Sequence, residues 1–276
     1  MKQISSAGNP RFKSLYRLTQ SSQERKKSGR SVLDGVHLVA AYREHVGLPE
    51  QVAVSRSGLT NPEVQALLGR MGQVEPVLLG DALFKRLSSV ITPTGIIAVV
   101  QAPCPQPVPE EMDSCVMLEG LQDPGNLGSI LRSVAAAGIQ HVLLSSDSVH
   151  AWSPRVVRAG MGAHFMLHIY EGVDLPALAR RFRGRVIATS HRAPRSVFET
   201  DLTGKIAMLF GNEGAGISHE LQAAAHATVA IPMPGKTESL NVATAAAVCL
   251  FERVRQLSAT SGQQSAISHK PKPFRR

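Results

Sequence analysis

The sequence predicts an α/β protein: a parallel sheet in its C-terminal part, preceded by a smaller α/β unit. Three observations carry this. From residue 114 onward, short β-branched or aliphatic runs alternate with helical stretches, which is how a chain builds parallel strands joined by crossover helices. Residues up to 102 show a shorter alternation of their own. Between the two stand four prolines, Pro103, Pro105, Pro107 and Pro109, which remove donors and stiffen the chain into a linker.

Taken in order, residues 4–29 read as a basic helix with a narrow apolar stripe of Phe12, Leu15 and Leu18. "SVLDGVHLVAAYREH" follows as a short strand, a glycine turn and a helix, and "QVAVS" as a strand. "NPEVQALLGRM" reads as a helix because Asn61 suits its cap and Pro62 its first position, where a missing N–H costs nothing. "VEPVLLG" is extended, "DALFKRLSSV" a helix capped by Asp81, and "GIIAVVQ" a buried-type strand closing the front unit near residue 102.

Beyond the linker, "SCVMLEGL", "HVLLSS", "HFMLHIYE", "RVIATS", "KIAMLFGN" and "ATVAIPM" read as strands. The helices between them are "NLGSILRSVAAAG", "SPRVVRAGMGA", "DLPALARRFRG" and "SHELQAAA", and a last helix reads as "SLNVATAAAVCLFE", opening on Ser239, Leu240 and Asn241. The chain therefore divides into a basic N-terminal helix (1–27), a front unit (28–102), a Pro-rich linker (103–112), a strand–helix domain (113–258) and a basic tail (259–276). Ligands of parallel sheets sit outside the carboxyl ends of the strands. The loops after Leu118, Ala188, Phe210 and Ile231 are thus expected to converge.

Composition narrows the function. Hydrophobic residues make up 43% of 276, enough for a sizeable core, and aromatics only 4%, so that core is aliphatic. No apolar run reaches the length of a membrane-spanning helix, and "MKQISSAGNPRFK" carries no signal-peptide stretch; a cytoplasmic protein is expected. Cys104, Cys115 and Cys249 are odd in number and far apart, which argues against a disulfide framework or a zinc cluster. His164 and His168 are four apart, but "HFMLH" lacks an adjoining Glu, so no metal site is expected. The net charge is +9. Residues 1–30 hold Lys2, Arg11, Lys13, Arg17, Arg25, Lys26, Lys27 and Arg30 against one acid, Glu24, and from Arg253 onward six more Lys or Arg occur without an acid. The first segment is read as docking to nucleic-acid phosphates, and the tail as disorder with auxiliary phosphate contact.

Three loops carry the chemistry. In "EGLQDPGNLGSILRSVAAAG", Gly120 and Gly125 have the spacing of a P-loop, but Asn126-Leu127 stand where Lys-Ser/Thr would be, so an NTPase is not expected; nor is there a GxGxxG for a dehydrogenase. Asn126 suits an N-cap, and Arg132 is placed on an otherwise almost uncharged helix. In "LFGNEGAGIS", three glycines in six positions let backbone approach a ligand, with Glu213 among them. In "IPMPGKTESLNVATAAAVCLFE", two prolines and a glycine force an irregular turn, after which Ser239 and Asn241 cap the helix or contact substrate.

Together these blocks resemble the three motifs of the SpoU (TrmH) family of RNA 2′-O-ribose methyltransferases, in the SPOUT superfamily, over roughly residues 114–256. The front unit is similar to the ribosomal-protein-like substrate-binding domain found before that domain, as in "VLDGVHLVAAY" and "ITPTGIIAVV", with Asp34-Gly35 where the family usually has Glu-Gly. The resemblance implies a trefoil knot, against the usual rule that chains are unknotted. It implies S-adenosylmethionine bound mainly by backbone at Thr189, Gly211, Ile231, Met233 and Leu240. It implies a homodimer with active sites at the interface, and a catalytic set of Arg132, Asn126, Glu213, Ser239 and Asn241. By motif Arg132 is the proposed base; since Arg stays protonated, orienting the ribose and stabilising developing alkoxide is the more conservative role, with Glu213 expected to pair with it. Ribosomal RNA is favoured as substrate over transfer RNA. A transfer-RNA enzyme, or a non-catalytic RNA-binding or assembly factor of the same fold, are the alternatives.

Overall fold

The computed structural model describes residues 1–102 and 107–260. The start of the expected linker, with Cys104, and the basic tail from residue 261 lie outside the described residues.

The front unit holds β1 (Lys2–Ile4), α1 (Pro10–Gln20), α2 (Ser22–Ser28), β2 (Arg30–Asp34), α3 (Val36–His45), β3 (Gln51–Ser55), α4 (Pro62–Leu68), β4 (Val77–Leu79), α5 (Asp81–Leu87) and β5 (Ile96–Gln101). Its sheet runs β1-β4-β3-β5-β2, with β5 antiparallel to both neighbours. The single basic helix expected over 4–29 is instead a strand and two helices. Ser21 ends α1 and its hydroxyl accepts from Glu24 N, capping α2, as Ser does where a chain restarts a helix. Arg25 is not a free phosphate contact either: it is buried and donates to the Leu18 carbonyl at 2.7 Å, closing α1. The expected Asp81 cap is also displaced. Gly80 is the N-cap, and Asp81 Oδ1 accepts from the backbone and hydroxyl of Ser57 instead.

The second unit holds β6 (Cys115–Leu118), α6 (Pro124–Ala136), β7 (His141–Leu144), α7 (Pro154–Gly160), β8 (His168–Tyr170), α8 (Leu175–Arg181), β9 (Arg185–Thr189), β10 (Arg195–Ser196), β11 (Ile206–Phe210), α9 (His219–Ala223), β12 (Ala227–Ala230) and α10 (Val242–Thr260). Its seven strands run β10-β12-β9-β11-β6-β7-β8, every neighbouring pair parallel. Alternate residues feed opposite faces: Val116 and Leu118 join one apolar cluster, with Ile130 of α6, Val156 of α7 and Leu250 of α10, while Cys115 and Met117 join another, with Leu178 of α8 and Leu221 of α9. Both faces are covered, as a parallel sheet requires. Burial pushes the thiols of Cys115 and Cys249 up to about 12.

The two units share a seam. Ser31 Oγ donates to the Trp152 carbonyl at 2.7 Å, and Tyr42 and Phe165 meet edge to face at 5.3 Å. His164, expected within a strand, lies in a 3₁₀ turn, and β8 begins only at His168. His164 is 2% exposed, bonds the Ala151 carbonyl through Nε2 at 2.9 Å, and leaves Nδ1 without a partner among the described residues. A carbonyl only accepts, so Nε2 carries the proton. Burial depresses this imidazole to about 4.

Candidate active site

The loops after β9, β11 and β12 enclose a cavity of about 540 Å³ at the carboxyl edge of the parallel sheet. Thr189 closes β9, Gly211 follows β11, Ile231 and Met233 follow β12, and Leu240 precedes α10; all five line the cavity, as do Glu213 and Ser239. The loop after β6 joins them from the side. Glu119 accepts from the backbone and hydroxyl of Ser218, both at 2.7 Å, and Asn212 Nδ2 donates to the Gly120 carbonyl at 2.7 Å. The four loops read from the sequence therefore do converge.

The glycine loop is closed on itself. Asn212 and Gly216 exchange two backbone hydrogen bonds of 2.9 Å, and Asn212 Oδ1 accepts from Gly214 N and Ala215 N. A Cβ on Gly211 would lie 2.2 Å from the backbone of Gly216, so no other residue fits there without moving the loop. Asn212 is thus the staple between the first and second loops, a role its position in the glycine run did not announce. Thr189 Oγ1 donates to the Leu209 carbonyl at 2.8 Å, holding adjacent strand ends together.

Beside the cavity runs a chain of side-chain contacts. Asn241 Nδ2 donates to Asn126 Oδ1, and Asn126 Nδ2 donates to Glu213 Oε1, each at 2.9 Å. A carboxylate only accepts, so the amino end of Asn126 must face Glu213 and its carbonyl end must face Asn241. Asn241 Oδ1 in turn accepts from Ala243 N at 2.9 Å and Thr244 N at 3.3 Å, capping α10. Glu213 also accepts from the backbone of Gln122 and Asp123. Partial burial raises its carboxyl, but Asn126 and these backbone donors outweigh that and hold it below its ordinary value.

Two expectations are corrected here. Asn126 is not the N-cap of α6: Asp123 is, its Oδ1 accepting from Asn126 N at 2.7 Å, with Pro124 in the first position. That frees the Asn126 side chain for Glu213. Nor does Glu213 pair with Arg132. Six residues along a helix amount to roughly 9 Å of rise and about a third of a turn away, and Arg132 stands exposed on α6 with no bonded partner among the described residues. Ser239 is exposed and does not cap α10, its hydroxyl making no hydrogen bond among the described residues.

Lining residues without a signal in the sequence include His191 and Arg192, on the turn after β9. They belong to no spaced pattern, and only the convergence of loops brings them to the rim.

Comparison with known proteins bears on the same region. Residues 113–251 match the model of the SpoU rRNA Methylase family. An uncharacterised tRNA/rRNA methyltransferase, slr1673 of Synechocystis sp., is 34% identical over 94% of this chain and 95% of its own length. The 23S rRNA (guanosine(2553)-2′-O)-methyltransferase RlmP of Bacillus subtilis is 27% identical over 91% of this chain and 98% of its own. The crystal structure of the SpoU methyltransferase AviRb from Streptomyces viridochromogenes, in complex with AdoMet, superposes with a TM-score of 0.79 at 28% identity, covering 91% of this chain and all of that one (100%).

Proposed function

The chain belongs to the SpoU rRNA methylase family, and from that premise we propose that its cavity and the Asn241–Asn126–Glu213 chain beside it form the site of S-adenosylmethionine-dependent 2′-O-methylation of ribosomal RNA. The observation that carries the reading is the cavity itself, set at strand ends and lined by main chain, glycine and the aliphatic Ile231, Leu240 and Val242. Such a lining suits a nucleoside, whose flat base needs apolar walls and whose polar edge is read by backbone groups. The volume and the closeness of Gly211 to Gly216 fit the cofactor that AviRb binds.

When bound, S-adenosylmethionine supplies a sulfonium methyl group already activated for transfer. The protein's task is then to place a ribose 2′-oxygen in line with that carbon, at about 3 Å, and to handle the hydroxyl proton as the C–O bond forms. Arg132 orients the ribose or its phosphate and stabilises negative charge developing on oxygen. Asn126 and Asn241 supply neutral hydrogen bonds whose directions are set by Glu213 and the start of α10. Ser239, exposed on the rim, supplies a free hydroxyl.

The family's homodimer belongs to the same proposal. α6 and α10 pack on each other, and α10 turns Phe251, 48% exposed, outward, while α6 exposes Ser129, Arg132 and Ala136. A second copy covering these helices would carry each Arg132 toward its partner's cavity, in keeping with its lack of a bonded partner among the described residues of one chain. The knot implied by the resemblance, the substrate-binding role of the front unit, and action in the cytoplasm are proposed alongside; no helix among the described residues is long and apolar enough to cross a membrane.

Calorimetry with S-adenosylmethionine, ATP and NAD tests the cavity. Binding of the first alone is expected. Binding of none would favour an assembly factor that keeps only the fold.

A further inference from the structure

We propose that Arg192 takes the α-carboxylate of S-adenosylmethionine at the mouth of the cavity. The inference rests on reading the cavity as the cofactor site. Among its described lining residues only two are of a charged type, Glu213 and Arg192. Glu213 is already engaged by Asn126 and two backbone donors. Arg192 is held only at its inner edge. Its Nε donates to His191 Nε2 at 3.2 Å, and its two terminal amino groups have no partner among the described residues.

The backbone beneath it is fixed. Ser190 N donates to the Val229 carbonyl of β12 at 2.9 Å, Ala193 N to the Ser190 carbonyl at 3.2 Å, and Arg192 N to Ser190 Oγ at 3.3 Å. A turn pinned to the sheet therefore presents a planar fork, steadied by a neighbouring ring, on the rim of a cavity whose other described charged side chain is Glu213.

S-adenosylmethionine carries a sulfonium, an ammonium and one carboxylate. Main chain and aliphatic walls satisfy its adenosine part, but a full negative charge beside such walls calls for a cation. The outer edge of a guanidinium meets a carboxylate with two parallel hydrogen bonds. The same cation repels the sulfonium and ammonium, which leaves the carboxylate as the group it faces.

The test compares two ligands by calorimetry: S-adenosylmethionine, and 5′-methylthioadenosine, which keeps the adenosine and sulfur but lacks the amino-acid part. Arg192→Ala is expected to weaken S-adenosylmethionine about tenfold, the scale of a charge-assisted contact, and to leave methylthioadenosine within about twofold. Arg192→Lys is expected to recover part of the loss, as a point charge without the fork. Equal weakening of both ligands would mean damage to the turn and would overturn the proposal. So would unchanged affinity for S-adenosylmethionine with a raised KM for RNA, which would assign the arginine to a phosphate of the substrate. Wild-type protein that bound neither ligand would overturn the reading of the cavity itself, and this assignment with it.

Discussion

Asn126 is read correctly only when its neighbours are weighed. Alone it resembles a helix cap, but Asp123 followed by Pro124 is the stronger start signal three residues earlier, and the cap it provides releases the asparagine. What remained hidden was any contact that depends on loops folding back, such as Asn212 on Gly120 or Arg192 on the rim. Arg132 shows the opposite error. Motif order suggested a pair with Glu213, yet helix geometry separates them. Arg132→Ala is expected to abolish methylation while S-adenosylmethionine still binds; near-normal turnover in a methyl-transfer assay would remove the role given to it. His164 gives a prediction independent of catalysis. Its folded value of about 4 lies below the ordinary 6.5, so the unfolded chain takes up the proton first. Stability is full above about pH 6.5, falls as pH drops toward 4, and levels off below that. At pH 5 this one group is expected to cost about 2 kcal/mol relative to neutral pH. Urea unfolding at the two pH values measures it, and the same pH dependence in His164→Phe would show that another group is responsible.

At the scale of elements, the strands were the most legible, because burial on both faces leaves near-continuous apolar runs: "RVIATS" is β9 and "QVAVS" is β3 to within a residue or so. The short edge strands β1 and β10 were not, since two or three residues carry no period. Helix starts marked by Pro directly after Asn or Ser appear at Asn61 and Ser153, and at Asp174 the proline comes one residue later, at Pro176. Helix crossings leave no such mark. Gly128 of α6 lies so close to α7 that a Cβ would fall 2.4 Å from the Ala159 Cβ and 2.6 Å from the Val156 carbonyl. Gly128→Ala should gain helix propensity yet lose about 1–3 kcal/mol to overpacking, read as a lower urea midpoint; a stabilised variant would show that the crossing yields easily. Asn241→Ala removes the side-chain cap of α10 and the link to Asn126 together. It is expected to cost about 1 kcal/mol of stability and a larger share of turnover than of cofactor affinity, checked by unfolding and by separate kcat and calorimetric measurements.

Over the whole molecule, net charge pointed to a polyanionic partner, but the structure redistributes it. Arg25 and Arg253 are buried and bond carbonyls, and Arg255 pairs with Glu252. Lys13, Arg17, Lys26 and Lys27 remain exposed on α1 and α2. Replacing Lys26 and Lys27 by Gln is expected to lower RNA affinity and to flatten its dependence on salt by about one log unit per lost phosphate contact, measured by titration at several salt concentrations. The substrate itself was not legible, since no single residue spells out a target nucleotide. Ribose methylation is read out by incubating the protein with methyl-labelled S-adenosylmethionine and ribosomal RNA from a strain that lacks it, then digesting the product to nucleosides. Label is expected on a ribose 2′-oxygen at a site unmethylated in that strain. Label on a base, or none on ribosomal RNA, would contradict it.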